Sequence, residues 1–191
     1  MRGIVQRVTV LTALVALFLS FSAPTLGHVT EKTDSTKSPS ALDIRKATFR
    51  HGEGRFRVSA ITEGGWAANL LGADDGVEGN DNAFQFQFNS KGDNYADYVV
   101  VVDYNADDDL FAALYHWVPP YPTQKPPKYV SDVFVKKEGR TLRVSFFKRK
   151  VDPRKSYIGW KAESYFKDDG ECSHQCHDKA PNGRQLANHT L

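Results

Sequence analysis

The clearest pattern of hydrophobic and polar positions lies in residues 83–102. Phe84, Phe86 and Phe88 alternate with glutamines, which is the pattern of a β-strand that buries one face. After a turn rich in Gly, Asn and Asp comes an unbroken apolar, β-branched run at 98–102, typical of a strand covered on both faces. The segment therefore predicts two paired strands in the middle of an antiparallel sheet.

Further strands are predicted on either side of this pair. They fall in residues 43–51, 55–61, 110–117, 130–136, 141–148 and 157–166. Gly and Pro turn signals separate them, and no segment has the period of a long amphipathic helix. The proline-rich segment 118–128 cannot join a sheet, so we expect a surface loop there. The pattern as a whole predicts an all-β fold, an antiparallel β-sandwich of about eight strands.

The N-terminal segment has a different pattern. Two arginines precede an apolar run at 8–22, and the small residues that follow end at Gly27, as in a secretory signal peptide cleaved after Gly27. The alternative is an uncleaved anchor helix, but the run is short for a span of about 20 residues. We therefore predict a secreted protein with four segments: signal peptide 1–27, flexible leader 28–41, β-sandwich domain 42–166 and Cys-containing polar tail 167–191.

The charge balance bears on the partners. Lys and Arg number 25 against 23 acidic residues, but the two surplus cations, Arg2 and Arg7, belong to the signal peptide. The secreted chain therefore has no net charge, whereas proteins that bind nucleic acid or anionic lipid are usually basic. We expect no nucleic-acid partner and no membrane span after signal cleavage. The oligomeric state is left open.

Two short segments contain residue types that bind metals. Cys172 and Cys176 lie among histidines and could form a zinc site, but two cysteines of an exported protein normally pair, so we favour a disulfide that closes the tail. Asn89, Asp93 and Asp97 have the outline of a calcium loop. A lysine occupies one ligand position there, which favours a metal-free turn over calcium. No cofactor is therefore predicted.

Catalysis has little support in the sequence. There is no nucleophile elbow, metalloprotease helix motif or phosphate-binding loop. Of the six histidines, only His116 is predicted inside a strand, and His51 lies at a strand edge. Aromatic residues at loops and strand ends are the better functional signal, because exposed rings stack on sugars. The candidates are Trp66, Trp117, Tyr115 and Tyr121.

The favoured hypothesis is a non-catalytic module that binds carbohydrate or cell-envelope material through these aromatic residues. An alternative is an extracellular structural or protein-interaction domain, with its aromatic residues in the core and no small-molecule ligand. A third, ranked last, is a secreted hydrolase that uses acidic loop residues.

Four short motifs also resemble a known group of proteins. They are DIRKA at 43–47, the strand–turn–strand segment at 83–102, WKAES at 160–164 and CHDKAP at 176–181. In this order they resemble secreted, mainly actinobacterial β-sandwich proteins, which are similar to the DOMON and family-9 carbohydrate-binding-module type of sandwich. The resemblance implies an extracellular sandwich that binds a ligand without transforming it. Haem-binding DOMON domains use a methionine ligand, and the only methionine here is Met1, so that form of haem binding is excluded.

Overall fold

Antiparallel β-strands joined by turns make up the described part of the computed structural model. The described residues are 28–34, 41–71, 82–93, 95–104, 109–117, 126–166, 176–182 and 185–191. The strands are β1 (Val29–Thr33), β2 (Ile44–Gly52), β3 (Arg55–Thr62), β4 (Ala83–Asn89), β5 (Tyr98–Tyr104), β6 (Leu110–His116), β7 (Lys128–Asp132), β8 (Phe134–Glu138), β9 (Thr141–Phe147), β10 (Tyr157–Phe166), β11 (Cys176–Ala180) and β12 (Ala187–Thr190). Single 3-10 turns lie at Ala68–Leu70 and Lys148–Lys150. None of the helical segments in these ranges is long and apolar enough to cross a membrane.

The strands form two sheets. The five-stranded sheet has the order β1-β2-β3-β9-β8, and the seven-stranded sheet has the order β11-β10-β4-β5-β6-β7, with β12 also paired to β10. All pairings between described strands are antiparallel. These findings confirm the predicted all-β class with two antiparallel sheets. The described residues contain more strands than the eight or so that the sequence predicts.

β4 and β5 are the central pair that the alternation of Phe and Gln predicts. Phe84, Phe86 and Phe88 are fully buried on the inner face, and Phe86 lies directly opposite Val100 of β5. On the other side of β4, the fully buried Trp160 of β10 lies opposite Phe88. Because burial of one such side chain contributes roughly 1.5–3 kcal/mol, this row of aromatic residues is a major source of stability.

The two sheets pack face to face around one core. The ring of Phe49 in β2 lies 5.8 Å from that of Phe88 and 5.7 Å from that of Trp160, both in the opposite sheet. Phe146 of β9 reaches across in the same way, with its ring centroid 5.3 Å from that of Phe88. These contacts make the molecule a sandwich whose outer faces are left for solvent or ligands.

The structure differs from the prediction at the N-terminal side of the domain. Residues Val29–Thr33 lie within the predicted flexible leader, 28–41, but form β1 along the edge of β2. Their side chains alternate between half-buried and exposed, and none is fully buried. The hydrophobic pattern therefore contains no signal for this strand, which is held by backbone hydrogen bonds at a sheet edge.

The predicted polar tail, 167–191, also contains strands. β11 pairs with residues 162–166 of β10, and β12 pairs with residues 157–160 of the same strand. Backbone pairing therefore orders much of the tail. Cys172 and the signal peptide, 1–27, lie outside the described residues, and only the backbone of Cys176 is described. The Cys172–Cys176 disulfide remains a prediction.

Candidate functional site

Trp66 is in the core, not on the surface. Its side chain is only 7 % exposed, and its ring lies 5.5 Å from that of Phe84. The ammonium group of Lys137 lies 4.7 Å from the centre of the same ring. A sugar would need a free ring face for stacking, so the burial of Trp66 counts against its predicted role in ligand binding.

Tyr115 and Trp117 lie at the end of β6, on the seven-stranded sheet. Both are half-buried, and the ring of Tyr115 lies perpendicular to that of the exposed Tyr129, 6.1 Å away. The backbone N–H of Trp117 donates to the carbonyl oxygen of Asp97 at 2.7 Å. The structure thus brings Tyr115 beside Tyr129, a residue outside the predicted set, while Tyr121 lies outside the described residues.

The side-chain oxygens of the calcium-loop-like segment, for which the sequence favours a metal-free turn, accept hydrogen bonds within the turn between β4 and β5. Oδ1 of Asn89 accepts from the backbone N–H groups of Lys91 at 3.1 Å and Gly92 at 2.7 Å, and its amide donates to the carbonyl oxygen of Asp93. Oδ1 of Asp93 accepts from the backbone N–H of Tyr95 at 3.0 Å. These bonds close the turn through local side-chain to backbone contacts.

The buried carboxylate of Asp97 completes the same turn. Its two oxygens accept from Ser90, one from the backbone N–H at 2.9 Å and the other from the hydroxyl at 2.7 Å. The ammonium group of Lys91 lies 3.6 Å from Asp97 Oδ2, so it occupies the position of a counter-ion. The geometry gives Asn89, Asp93 and Asp97 a structural role in this turn.

Glu163 is the centre of a polar cluster on the outer face of the seven-stranded sheet. Its oxygens accept from Lys161 at 2.6 Å, from the Gln87 amide at 2.5 Å and from the Tyr165 hydroxyl at 2.8 Å, and His177 lies 3.5 Å away. Burial opposes ionisation, but the hydrogen bonds from His177, Lys161 and Tyr165 outweigh it and lower the pKa of Glu163 to about 2. A carboxylate with this pKa cannot serve as a general acid near neutral pH.

A second group of carboxyls lies where β11 meets β2. The carboxyl oxygens of Asp34, Asp43 and Asp178 lie within 4.8 Å of one another. Burial, followed by the hydrogen bond and negative charge of Asp34, raises the pKa of Asp178 to about 7. This is the raised pKa that a hydrolase would use, but Asp43 and Asp178 are only 3 % and 8 % exposed and Asp178 accepts a hydrogen bond from the backbone N–H of Ile44. Their burial leaves little access for a substrate.

A groove of about 580 Å³ lies on the outer face of the five-stranded sheet. Its polar lining alternates with core residues along β2, β3 and β9, and one edge is formed by the exposed ring of Phe134 in β8. The side chains that line the groove on this face are Thr48, Arg50, Arg55, Arg57, Ser59, Phe134, Arg143 and Ser145. The arginines are therefore collected from three strands that lie side by side. We call this surface the arginine groove.

Hydroxyl groups also line the arginine groove. The hydroxyls of Thr48 and Ser59, which are opposite each other in β2 and β3, lie 2.6 Å apart. Ser145 accepts from Arg55, whose Nε lies 2.8 Å from its hydroxyl oxygen.

Sequence reasoning missed this site. The alternation of arginine with Phe56 and Val58 in β3 was visible, but the sequence does not indicate which strands are neighbours.

The fold and this groove define a class of protein: an all-β sandwich with a polar, arginine-lined outer face. No family model, curated protein or solved structure matches this chain. The resemblance to DOMON and family-9 carbohydrate-binding modules therefore remains a prediction.

Proposed function

We propose that this protein is a secreted, non-catalytic module that binds carbohydrate or cell-envelope material bearing acidic groups. The observation that supports the proposal is the arginine groove, an open surface in which guanidinium and hydroxyl groups lie side by side. Guanidinium groups present paired N–H donors that match carboxylates, sulfates and phosphates, and hydroxyl groups can both donate and accept hydrogen bonds with sugars.

The arrangement of charge in the groove favours an anionic ligand. Arg50 of β2 lies directly opposite Arg57 of β3, and like charges at opposite positions repel each other. Arg57 is paired with Glu53 at 2.6 Å and Arg143 is paired with Glu138, whereas Arg50 has no ion pair with any residue in the described ranges. An acidic group bound between the two arginines would relieve their repulsion and gain charge-assisted hydrogen bonds.

Aromatic side chains on the same outer face provide apolar contacts for a sugar ring. Phe134 is 61 % exposed beside the groove, and Phe147 is 45 % exposed at the end of β9. The guanidinium groups of Arg55 and Arg149 lie 4.4 Å and 4.9 Å from the centre of the Phe147 ring, so Phe134 is the better of the two rings for stacking on a sugar. Aromatic surface beside hydrogen-bonding groups suits a ligand with apolar ring faces and polar edges.

An extracellular structural or protein-interaction domain is the second candidate. The burial of Trp66 supports it, because one of the predicted sugar-stacking residues is part of the core. The exposed rings of Phe134 and Phe147 would also suit a protein partner. A secreted hydrolase is ranked below both candidates, because Asp178, the carboxyl with the raised pKa, is buried.

The proposal is tested by binding of the secreted protein to a panel of polymers: a uronic-acid polysaccharide, a sulfated polysaccharide, a phosphate-bearing cell-wall polymer, a neutral glucan and duplex DNA. Calorimetry or fluorescence should show saturable binding to at least one acidic polysaccharide or cell-wall polymer. The double variant Arg50→Gln and Arg143→Gln should weaken binding at least about tenfold, because each charge-assisted hydrogen bond contributes about 1.5–3 kcal/mol. Binding should also weaken as salt concentration rises.

The matched control is the double variant Arg140→Gln and Arg154→Gln, which removes the same charge from exposed positions outside the groove lining. It should bind like the wild type. Equal losses in both double variants would mean that total charge, not the groove, determines binding. A response to the neutral glucan that disappears in Trp117→Ala would move the site to the seven-stranded sheet. If none of the polymers binds, the structural or protein-interaction role is favoured.

A further inference from the structure

Three histidines from distant parts of the chain meet at one edge of the sandwich. His51 lies near the end of β2, and His189 lies in β12. β1 pairs with β2 so that Val29 is opposite Arg50, and one further step places His28 opposite His51. The ring of His189 lies 5.0 Å from that of His51 and 5.5 Å from that of His28. The antiparallel register and the docking of β12 thus create a histidine cluster.

The ring nitrogens of two of these residues point at each other. Nε2 of His189 lies 2.7 Å from Nδ1 of His51, and Nδ1 of His189 lies 2.8 Å from the hydroxyl oxygen of Thr30. His189 is fully buried, and the edge of its ring packs against Phe49 at a centroid distance of 4.4 Å. In the tautomer that donates from Nδ1 to Thr30, Nε2 of His189 directs its lone pair towards His51.

We infer that His51 and His189, with His28 beside them, form a binding site for a divalent late transition-metal ion, with Cu²⁺ bound most tightly. Imidazole nitrogen is a preferred ligand of Cu²⁺ and Zn²⁺, and nitrogen sites generally bind Cu²⁺ best in this series. Two imidazoles bound to one ion at about 2.0–2.1 Å have their nitrogens roughly 3 Å apart. The separation of 2.7 Å between His51 and His189 therefore needs only a small opening to admit an ion.

The surroundings of the cluster are suited to holding a metal-bound histidine in place. The hydroxyl of Thr30 binds the second nitrogen of His189, as residues around metal-bound histidines commonly do. Coordination through Nδ1 of His51 requires its proton to move to Nε2, and the half-buried position of His51 allows exchange with solvent.

Two further features influence which ion binds. The donors that the described residues bring to the cluster are imidazole nitrogens, with the Thr30 hydroxyl beside them. Hard ions such as Ca²⁺, which depend on charged oxygen ligands, are therefore disfavoured relative to Cu²⁺. Signal cleavage after Gly27, which the sequence predicts, would add the α-amino nitrogen of His28 to the donors near the cluster.

The experiment is a titration of the secreted protein with Cu²⁺ after removal of metals with a chelator. Competition with a chromophoric chelator measures affinity, and electron paramagnetic resonance detects nitrogen ligands through their hyperfine splitting. Mass spectrometry of the same sample identifies its N-terminal residue. The wild type should bind one equivalent with nitrogen hyperfine structure, and His28→Ala and His51→Ala should each weaken binding and reduce the number of coupled nitrogens. Thr30→Val should keep nitrogen ligation but weaken binding by roughly 10- to 100-fold.

His116→Ala is the control, because His116 lies in β6 of the other sheet and its ring packs against Tyr98. It should bind Cu²⁺ like the wild type. His28 and His51 are used because neither is fully buried, whereas truncation of the buried His189 could prevent folding. Thermal unfolding without metal establishes that each variant is folded. If wild type and folded His51→Ala bind equally, or if bound Cu²⁺ lacks nitrogen ligands, the proposal is wrong and the cluster is a structural hydrogen-bond network.

Discussion

At the residue scale, Glu163 shows how neighbouring donors determine the charge of a buried carboxyl. It is 2 % exposed on the outer face of the seven-stranded sheet, where burial alone would favour its protonated form. Lys161, Tyr165, His177 and the amide of Gln87 all approach its two oxygens. These donors stabilise the ionised form, so loss of the charge would leave several polar groups without their acceptor.

The first stability prediction follows from this pKa. The pKa of Glu163 is about 2 in the folded protein and 4.5 in its unperturbed state, so its contribution is complete above about pH 4.5 and is lost as pH falls towards 2. That difference corresponds to about 3 kcal/mol. Glu163→Gln should therefore lower the unfolding free energy at pH 7 by an amount of this order, measured by urea denaturation.

The matched control is Glu53→Gln, because the side chain of Glu53 is 80 % exposed. This variant should change stability by less than about 1 kcal/mol, as is usual for a surface ion pair. Denaturation repeated between pH 2 and pH 7 should show a smaller loss of stability on acidification for Glu163→Gln than for the wild type. If both proteins lose the same amount, the low pKa assigned to Glu163 is wrong.

At the scale of elements, the turn between β4 and β5 depends on Gly92. Its φ is +75°, a conformation that other residues rarely adopt, and a Cβ atom at this position would lie 2.7 Å from the Tyr157 hydroxyl oxygen. Gly139, in the turn between β8 and β9, also has positive φ, at +56°, but a Cβ atom there would meet nothing within 4 Å. Any other residue would therefore have a strained backbone at both positions, but only at Gly92 would its side chain also lack space.

The second stability prediction compares Gly92→Ala with Gly139→Ala. Both variants should be destabilised by about 1 kcal/mol or more because alanine is strained at positive φ. Gly92→Ala should be the less stable, because the side chain of Tyr157 must also move. The melting temperatures of both variants are measured by thermal unfolding. Equal melting temperatures would show that Tyr157 moves without cost, and the close approach to Gly92 would then have no role in the stability of the turn.

At the scale of the whole molecule, the last strands connect the two sheets. Asp178 of β11 accepts a hydrogen bond at 2.6 Å from the backbone N–H of Ile44 in β2. Across the edge of the sandwich, the side chain of His189 in β12 is hydrogen-bonded to the hydroxyl of Thr30 in β1. The N-terminal strand of one sheet and the C-terminal strands of the other therefore stabilise each other.

The third stability prediction concerns this junction. The pKa of Asp178 is raised from 3.8 to about 7, so the folded state binds a proton that the unfolded state has already released. The stability from this carboxyl is therefore complete below about pH 3.8 and is lost as pH rises through 7. Asp178→Asn retains an acceptor for Ile44 and is neutral, so it should be more stable than the wild type at pH 8.

Urea denaturation of both proteins at pH 5 and pH 8 tests this prediction, with Asp132→Asn as the control because Asp132 is exposed in β7. The wild type and the control should lose stability between the two pH values by an amount that Asp178→Asn does not show. A fall of the same size in Asp178→Asn would mean that another group is responsible.

Much of the fold could be predicted because buried strands leave a regular pattern in the sequence. The alternation of Phe84, Phe86 and Phe88 identified β4, and the apolar run after it identified β5. β1 and β12 were not predicted, because they are short, largely polar strands that pair with their neighbours through backbone hydrogen bonds. Backbone groups are the same in every residue, so such pairing leaves no side-chain pattern.

The sequence by itself determined the all-β class, the central strands and the polar turn at Asn89–Asp97, because each depends on residues close together in the chain. The tertiary structure alone decided which distant side chains meet. It placed Trp66 in the core, Arg50 and Arg143 in one groove, and His51 beside His189. The physical reason is that strand order and register decide which side chains share a face or an edge, and both are set by the packing of the whole sandwich.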